Sequence, residues 1–529
     1  MEADASGVWG VTDGNGFGFA GSENGHLRMA YLNENKEDLE GSQIGHSCRA
    51  GLKRGFQRNN LPKLQTIPIR RSIFTYSRGN ISQGDKMLLR FSVENWMSFR
   101  DEATLDLVAT KEEQHSDHIA AIKKYGLKVL PVAAIYGANA SGKSNLIKAL
   151  RFAQQFIMGP PKEGVPIAIK PFLLSKGSSD RPTAFRFELL LDKTIYEYSF
   201  AVTVSSVIRE ELKQVNATSE ETLFRRAVEP EEFLLSEKVQ DKSQQQFAFR
   251  GTHDNQLFLT NSVSQRLAEF KPLFDWFETS LIVILPNTRF GQLSDITDNH
   301  HPHFKRMITR LHALDSGIAD FRQLDISSEG TLPKELFDAI SSDLKEGQTL
   351  PLSGPWEEGV FLRKENGKIV AIRLAPVHEN ESGEEILFNF SDESDGTRRL
   401  FDLLPAFLFL EERSIPPVFV IDELDRSLHP NLTKDLLEHY LDQRTNSSRS
   451  QLIFTTHDTQ LMTQDIFRRD EIWITERDQF GASKLVAFSE FKDVRKDKDI
   501  RKSYLQGRMG GVPRIKTVSS PCEDEASVR

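Results

Sequence analysis

Residues 137–144 of this 529-residue chain read Gly137-Ala138-Asn139-Ala140-Ser141-Gly142-Lys143-Ser144, a complete GxxxxGK[ST] pattern. The run 129–136 before it is almost continuously apolar, which is typical of a central parallel strand covered on both faces. After it, apolar residues recur at helical spacing, at Leu146, Ile147, Leu150 and Ala153. The pattern therefore stands in the strand–loop–helix context of a phosphate-binding loop, and it predicts an α/β chain built around a P-loop.

The chemistry of such a loop follows from its backbone. Glycines let N–H groups turn inward around phosphates, and the helix N-terminus adds partial positive charge. Lys143 would reach the β- and γ-phosphates, and the Ser144 hydroxyl would ligate Mg²⁺. We therefore predict ATP and Mg²⁺ as cofactors, with the nucleotide held by Gly137, Ala138, Asn139, Ala140, Ser141, Gly142, Lys143, Ser144 and Asn145.

Two later apolar segments also end in polar residues. Residues 417–421 lead into Asp422, which can hold the Mg²⁺ shell, and Glu423, which can accept a proton from an attacking water. Residues 451–456 lead into His457. Upstream of both, Ser394-Asp395-Gly396-Thr397 opens a helix, which is another anion-binding geometry, although a serine there is by itself most often an ordinary N-cap.

The order of these segments (P-loop, serine–glycine signature, Asp-Glu strand end, histidine) resembles the head domain of ABC-type ATPases. The resemblance implies that Ser394 and Gly396 contact the γ-phosphate on the P-loop of a second copy, so that ATP is sandwiched in a homodimer. It also implies that Glu423 is the general base, that His457 contacts the γ-phosphate and that Asp425 links the two sites. Ser-Asp-Gly-Thr stands where the family has Ser-Gly-Gly-Gln, and three residues remain candidates for the Q-loop glutamine: Gln154, Gln155 and Gln292.

Within that superfamily the chain resembles the SMC/RecF/OLD-like branch. It is closer still to bacterial ATPases with an AAA-type core domain, which are found in anti-phage operons such as Septu and PARIS. This resemblance extends from Met87 to about Lys516 and is carried by residues 135–148, 196–200, 223–226, 422–425 and 502–513. It implies a role in abortive-infection defence beside a toxin or nuclease effector protein.

The domain organisation predicted from the sequence is one ABC-type ATPase domain over 87–516. Its inserts are an antiparallel β-lobe at about 184–215, where polar and apolar residues alternate, and a helical lobe at about 262–345, where apolar residues recur at helical spacing. Residues 1–86, glycine-rich and then basic without periodicity, are predicted to be a disordered or non-native extension. Residues 517–529 are predicted to be a flexible tail.

Composition narrows the class of protein. The chain is 38% hydrophobic and 27% charged, a globular balance, and its net charge of −9 argues against non-specific coating of DNA. Two cysteines, Cys48 and Cys522, suit a reducing compartment, so we expect a cytoplasmic protein.

The apolar run 400–410 is too short to span a membrane. Lys and Arg residues are interleaved with acids over 495–516, so that a contact with nucleic acid there remains an open alternative. The histidine-containing segment 300–303 is interpreted as a polar loop rather than a metal site.

Together the motifs predict an enzyme, an ATP-hydrolysing switch that dimerises around ATP and passes that state to a partner. Lys143, Glu423 and His457 are the predicted catalytic residues, and Ser144 and Asp422 the predicted metal ligands. Two alternatives remain open: a nucleotide-gated scaffold or sensor that holds a toxin or effector with little turnover, and an ATPase of DNA repair or chromosomes. A P-loop kinase is disfavoured because it would not need the Asp-Glu pair together with the histidine.

Overall fold

The computed structural model describes residues 10–12, 17–22 and 26–31 by their backbone, and 85–229, 231–286, 302–327, 344, 346, 349–351, 359–411, 417–491 and 500–512. These residues belong to two compact units. One is drawn from Met1–Thr75 and Gln323–Leu374, and the other from Tyr76–Arg322 and Ala375–Arg529.

The strands of the described residues are β1 (Gly10–Thr12), β2 (Phe17–Ser22), β3 (His26–Tyr31), β4 (Lys86–Glu94), β5 (Ala103–Asp106), β6 (Ala120–Ile122), β7 (Leu127–Val129), β8 (Val132–Gly137), β9 (Thr183–Leu191), β10 (Thr194–Val202), β11 (Val207–Val215), β12 (Glu220–Ala227), β13 (Glu232–Leu235), β14 (Leu281–Ile284), β15 (Asp320–Asp325), β16 (Thr349–Pro351), β17 (Val360–Glu365), β18 (Lys368–Glu379), β19 (Glu385–Leu387), β20 (Val418–Ile421), β21 (Gln451–Thr455), β22 (Ile472–Arg477) and β23 (Ser483–Ala487).

The α-helices of the same residues are α1 (Lys143–Met158), α2 (Lys242–Arg250), α3 (Phe258–Ser264), α4 (Lys271–Asp275), α5 (Pro302–Ala313), α6 (Asp395–Glu411), α7 (Pro430–Asp442) and α8 (Ile500–Leu505). A π-helical turn, Trp276–Ser280, follows α4 directly. The α/β fold class predicted from the sequence is confirmed.

A six-stranded sheet positions the predicted site. Its order is β14-β20-β21-β8-β22-β23, and the first five strands are parallel. β8, β20 and β21 are buried along their whole length, as expected of apolar strands covered on both faces. Because parallel strands end at the same edge, Gly137, Asp422 and His457 come together there, although up to about 320 residues of chain separate them.

A seven-stranded antiparallel sheet, in the order β13-β12-β11-β10-β9-β4-β5, forms a second layer of the larger unit. Alternate residues of β9 point inward, where Phe91 and Phe187 pack with ring centroids 4.9 Å apart. The strands that follow the predicted β-lobe continue to Leu235, and the N-terminal strands β4 and β5 join the same sheet. The antiparallel layer is therefore wider than the alternation over 184–215 indicated.

The segment 262–345 differs from a purely helical lobe. Its described residues hold the end of α3, then α4, the π-turn, β14, α5 and β15. The aromatic residues at helical spacing are buried, including Phe270, Phe274 and Phe277. The four residues after the π-turn, Leu281–Ile284, instead pair with β20 in the central sheet. A run of four large aliphatic residues suits a buried strand and leaves no polar face for a surface helix.

In the smaller unit, residues 360–373 form an antiparallel hairpin in which Val360 lies opposite Arg373. A small core packs on it, made of Ile326, Val360, Leu362 and Ala371. β1, β2 and β3 form an antiparallel sheet in the order β1-β2-β3 within the predicted N-terminal extension.

Several predictions fall outside the described residues: the tail 517–529, the remainder of 1–84, the basic residues at 495, 496, 498, 514 and 516, and the candidates Gln292, His300 and His301. Of the helices that are described, none combines the length and the apolar character needed to cross a bilayer.

Candidate active site

The phosphate loop between β8 and α1 depends on two glycines. Gly137 has a φ of 155° and Gly142 a φ of 118°. A Cβ atom on Gly137 would lie 2.3 Å from Thr475 Oγ1, and one on Gly142 would lie 2.5 Å from Ser483 Oγ. Both positions therefore exclude every residue except glycine, for backbone conformation and for space.

Side chains of β22 and β23 form hydrogen bonds with the loop and with the end of β8. Thr475 Oγ1 lies 2.5 Å from Ser141 Oγ and donates to the carbonyl of Tyr136 at 3.1 Å. Ser483 Oγ donates to the Ser141 carbonyl at 2.6 Å. Sequence reasoning missed Thr475 and Ser483, because nothing in the local sequence marks a residue whose partner lies more than 300 positions earlier.

The outer part of the loop, residues 138–140, is at least partly exposed to solvent, as a surface that receives phosphates must be. Asn145, also predicted to hold the nucleotide, uses its side chain differently. Its Nδ2 donates to Ser98 Oγ at 2.8 Å, and its carbonyl accepts from Trp96 Nε1 at 3.0 Å. Asn145 thus ties the start of α1 to the turn after β4.

Lys143 is buried, and its ammonium lies within its own loop. Nζ donates to the Gly137 carbonyl at 2.7 Å and to the Ala138 carbonyl at 3.2 Å. Burial lowers the pKa of Lys143 to about 8, and the nearby carboxylates of Asp422, Asp425 and Glu423 counteract only part of that shift. A strongly anionic ligand would therefore stabilise this cation more than the protein alone does.

Asp422, almost wholly buried at the end of β20, is held by two hydroxyls. Its Oδ1 accepts from Ser144 Oγ at 3.1 Å and from Thr455 Oγ1 at 2.6 Å. Thr455 Oγ1 in turn accepts the backbone N–H of Glu423 at 2.8 Å. One threonine at the end of β21 therefore fixes both acidic residues. Thr455 was not among the residues predicted for the site.

The donor set fits Mg²⁺. The hydroxyl of Ser144 and the carboxylate of Asp422 are hard oxygen donors, and a magnesium ion that also binds phosphates needs only one or two protein ligands. Among the described residues, no cluster of three or more His, Cys, Asp or Glu side chains could hold a metal by itself. Ser144 and Asp422 would thus hold Mg²⁺ together with a bound nucleotide rather than alone.

Glu423 has a φ of 53°, which residues other than glycine rarely adopt. Its carbonyl accepts from Arg399 Nη2 at 3.3 Å, and its carboxylate lies 3.9 Å from Arg426 Nη1. The Glu423 side chain is 38% exposed, so that it can reach a water molecule at the edge of the sheet. Backbone strain of this kind is concentrated at active sites, where surrounding contacts maintain it.

His457 and Asp425 are also adjacent. The His457 backbone N–H donates to Asp425 Oδ2 at 3.3 Å, while Oδ1 of Asp425 is buried without a hydrogen-bond partner in the described part of the chain. Partial burial of the imidazole and the positive charge of Lys143 lower the pKa of His457 below its usual 6.5. At pH 7 the ring is therefore neutral and can donate a single N–H to a phosphate oxygen.

The predicted signature lies at the start of α6 and not in this cluster. Ser394 Oγ accepts the Thr397 N–H at 3.0 Å and pairs with Thr397 Oγ1 at 2.8 Å, so that in the single chain it caps the helix. A Cβ on Gly396 would lie 2.8 Å from the Ser427 carbonyl, which places the signature against the segment that follows Asp425. The hydrogen bonds of the Ser394 side chain are local.

Of the Q-loop candidates, Gln154 is buried on α1 and donates to the carbonyls of Phe277 and Leu281 at 2.8 and 2.6 Å. These bonds join α1 to the π-turn and β14, which is a structural role. Gln155 is exposed on the same helix. The Q-loop assignment stays open.

A parallel sheet with a phosphate loop, an Mg²⁺-competent serine–aspartate pair and an adjacent glutamate defines a nucleotide-binding P-loop ATPase domain. Residues 132–463 match the family model described as "AAA domain, putative AbiEii toxin, Type IV TA system". The match covers more than half of the chain, and the chain therefore belongs to this AAA-domain family. Among curated proteins, none matches the chain.

Proposed function

We propose that this protein is an ABC-type molecular switch that binds and hydrolyses ATP and dimerises around it. The observation that carries the proposal is the position of Asp422, whose Oδ1 bonds both the Ser144 and the Thr455 hydroxyls beside the buried Lys143. This arrangement supplies a cation for the β- and γ-phosphates and oxygen ligands for a metal in one place.

Each residue has a chemical task in this proposal. Lys143 binds the phosphates, and Ser144 and Asp422 hold Mg²⁺, which neutralises charge on the phosphate oxygens. Glu423 accepts the proton of the water that attacks the γ-phosphate, because its carboxylate reaches solvent beside Asp422. Neutral His457 donates a hydrogen bond to a γ-phosphate oxygen.

Dimerisation is proposed from the exposure of the signature. Ser394 lies at the surface, at the N-terminus of a helix of 17 residues, where N–H groups attract anions. In its own chain the Ser394 hydroxyl only caps that helix, so that a further role in catalysis requires the nucleotide of a second copy. Asp425, whose Oδ1 has no hydrogen-bond partner among the described residues, accepts the His457 N–H through Oδ2 and lies two positions before Ser427, which Gly396 of the signature adjoins.

The biological role proposed is anti-phage defence by abortive infection, with a toxin or nuclease effector as partner. Support comes from the family, whose description names the AbiEii toxin and a type IV toxin–antitoxin system. The state passed to the effector would be the ATP-bound dimer.

Phosphate release from Mg²⁺-ATP by the full chain tests the enzymatic part. Lys143→Ala is expected to abolish nucleotide binding. Glu423→Gln is expected to bind ATP, to lose about 10²- to 10⁴-fold in turnover and to accumulate as a dimer in light scattering. Glu438→Gln is a matched control, since Glu438 is a surface residue of α7 that pairs with Lys434.

Each other outcome has a definite meaning. Unchanged turnover in Glu423→Gln would show that another group is the base. Tight ATP binding by the wild type without phosphate release would favour the nucleotide-gated sensor, and strong stimulation by DNA would favour the DNA-repair ATPase.

A further inference from the structure

The hairpin of β22 and β23 lies beside the phosphate loop. β22 runs parallel to β8, with Thr475 opposite Gly137, so that residues 476–482 continue past the edge at which the phosphates would bind. Ser483, on the returning strand, lies against Gly142. The tip of this hairpin, residues 478–482, is therefore next to the loop at its open edge.

The hairpin tip carries an exposed aromatic side chain on a hydrogen-bonded turn. Asp478 Oδ1 accepts the backbone N–H of Phe480 at 2.8 Å and that of Ala482 at 2.9 Å. Gly481 has a φ of 83°, and its carbonyl accepts from Arg477 Nε at 2.9 Å. The N–H groups of Phe480, Gly481 and Ala482 are thus all bonded within the turn, while Phe480 itself is 63% exposed. A large apolar ring on a rigid turn has little entropy to lose when a flat ligand packs on it.

A second apolar surface faces the same turn. A Cβ on Gly481 would lie 2.4 Å from Leu174 Cδ1, so that Leu174 packs directly on the tip. Leu174 is nevertheless 62% exposed, and its neighbour Leu173 is more exposed still. Exposed apolar residues that adjoin each other from distant segments of chain mark binding surfaces more often than isolated ones do.

The order of the strands indicates which part of a nucleotide would reach this surface. The groups that suit the γ-phosphate and the metal, Asp422, Glu423 and His457, follow β20 and β21, on one side of β8. β22 and its tip lie on the other side of β8. With the γ-phosphate toward Asp422, the side of β8 that carries the hairpin tip is left for the sugar and base of a nucleoside triphosphate.

We propose that Phe480, supported by Leu174, stacks on the base of the bound nucleoside triphosphate and forms the base subsite of this ATPase. Stacking requires a flat aromatic ligand and supplies affinity without hydrogen bonds to the base edge. The inference rests on the proposed function, because the triphosphate must first occupy the loop.

Binding of two ligands to the full chain, measured calorimetrically with Mg²⁺, tests this subsite. ATP carries a base, and inorganic tripolyphosphate does not. Phe480→Ala is expected to weaken ATP by about 5- to 150-fold, the range for loss of one aromatic stacking partner, and to leave tripolyphosphate unchanged. Phe480→Trp is expected to retain ATP affinity, because it keeps the aromatic face.

The matched control is Phe247→Ala. Phe247 is 72% exposed on α2. This helix contacts β13 through the stacked pair Phe249–Phe233, and β13 and β5 are the two opposite edge strands of the antiparallel sheet. This variant is expected to bind both ligands as the wild type does.

The results separate failure of the subsite from failure of the proposed function. If Phe480→Ala binds ATP as tightly as Phe247→Ala does, or loses ATP and tripolyphosphate equally, the subsite is refuted. If the wild type binds neither ligand, or if Lys143→Ala leaves both affinities intact, the triphosphate does not occupy the loop, and the proposed function fails together with the subsite.

Discussion

Thr455→Val tests whether one hydroxyl at the end of β21 orients the acidic pair. Valine has nearly the shape of threonine, so that the change removes the hydroxyl without opening a cavity. It deletes the 2.6 Å bond to Asp422 Oδ1 and leaves the N–H of Glu423 without its acceptor. A hydrogen bond to an ionised group contributes about 1.5–3 kcal/mol, and an unsatisfied buried donor costs about 1–3 kcal/mol.

If about 2–3 kcal/mol of this total acts on the position of Asp422 and Glu423 in the transition state, turnover should fall by about 30- to 150-fold. The affinity for ATP should change by no more than about threefold, since Lys143 and the loop backbone are untouched. Steady-state phosphate release and calorimetric ATP binding measure the two quantities.

Thr456→Val is the matched control. Thr456 is as deeply buried as Thr455 and next to it, but in the described part of the chain its hydroxyl bonds only the backbone N–H of Asp458, at 2.9 Å. One neutral bond contributes about 0.5–1.5 kcal/mol. Equal turnover in the two variants, or wild-type turnover in Thr455→Val, would refute the orienting role of Thr455.

Two further predictions concern charge and the signature. The pKa of Lys143 is lowered to about 8, and bound phosphates favour its charged form. ATP affinity should therefore be level below pH 7 and fall by up to about tenfold per pH unit above pH 8, with proton uptake on binding that calorimetry in buffers of different ionisation enthalpy detects. An affinity that stays level to pH 9.5 would contradict this prediction. The sign is that of a base with a lowered folded pKa, so the nucleotide-free protein should itself gain stability as pH rises from about 8 toward 10.5. Ser394→Ala should lower the free energy of unfolding by about 1 kcal/mol through the lost helix cap, and turnover should fall by more than tenfold if the hydroxyl also contacts a second copy's nucleotide; a change in turnover below twofold would leave Ser394 as a cap only.

Much of the site could be predicted because its geometry is local. The phosphate loop is a backbone conformation encoded in eight consecutive residues, and Gly137 and Gly142 identify it without reference to any partner. Asp422 and Glu423 follow an apolar run that reads as a buried strand, so that their position at a strand end was visible as well.

The supporting side chains could not be predicted in the same way. Thr455 and Thr475 are ordinary polar residues in or beside apolar strands, and a buried threonine is most often explained by packing. Their roles depend on partners 33 and 334 positions away, at Asp422 and Ser141. Only the pairing of β20 with β21, and of β8 with β22, brings these atoms within bonding distance.

The helical pattern over 262–345 failed at β14 for a related reason. Four aliphatic residues are compatible with a strand or a buried helix, and the strand forms because the backbone of β20 offers an edge with which it can pair. The consecutive residues 137–144, the Asp-Glu pair and the apolar runs around them thus specify a P-loop α/β chain, since local backbone conformation and hydrophobic pattern are properties of neighbouring residues. The order of the strands is set by burial of apolar surface across the whole sheet, to which residues hundreds of positions apart contribute together. That order in turn decides where Thr455, Thr475 and Phe480 lie relative to the loop.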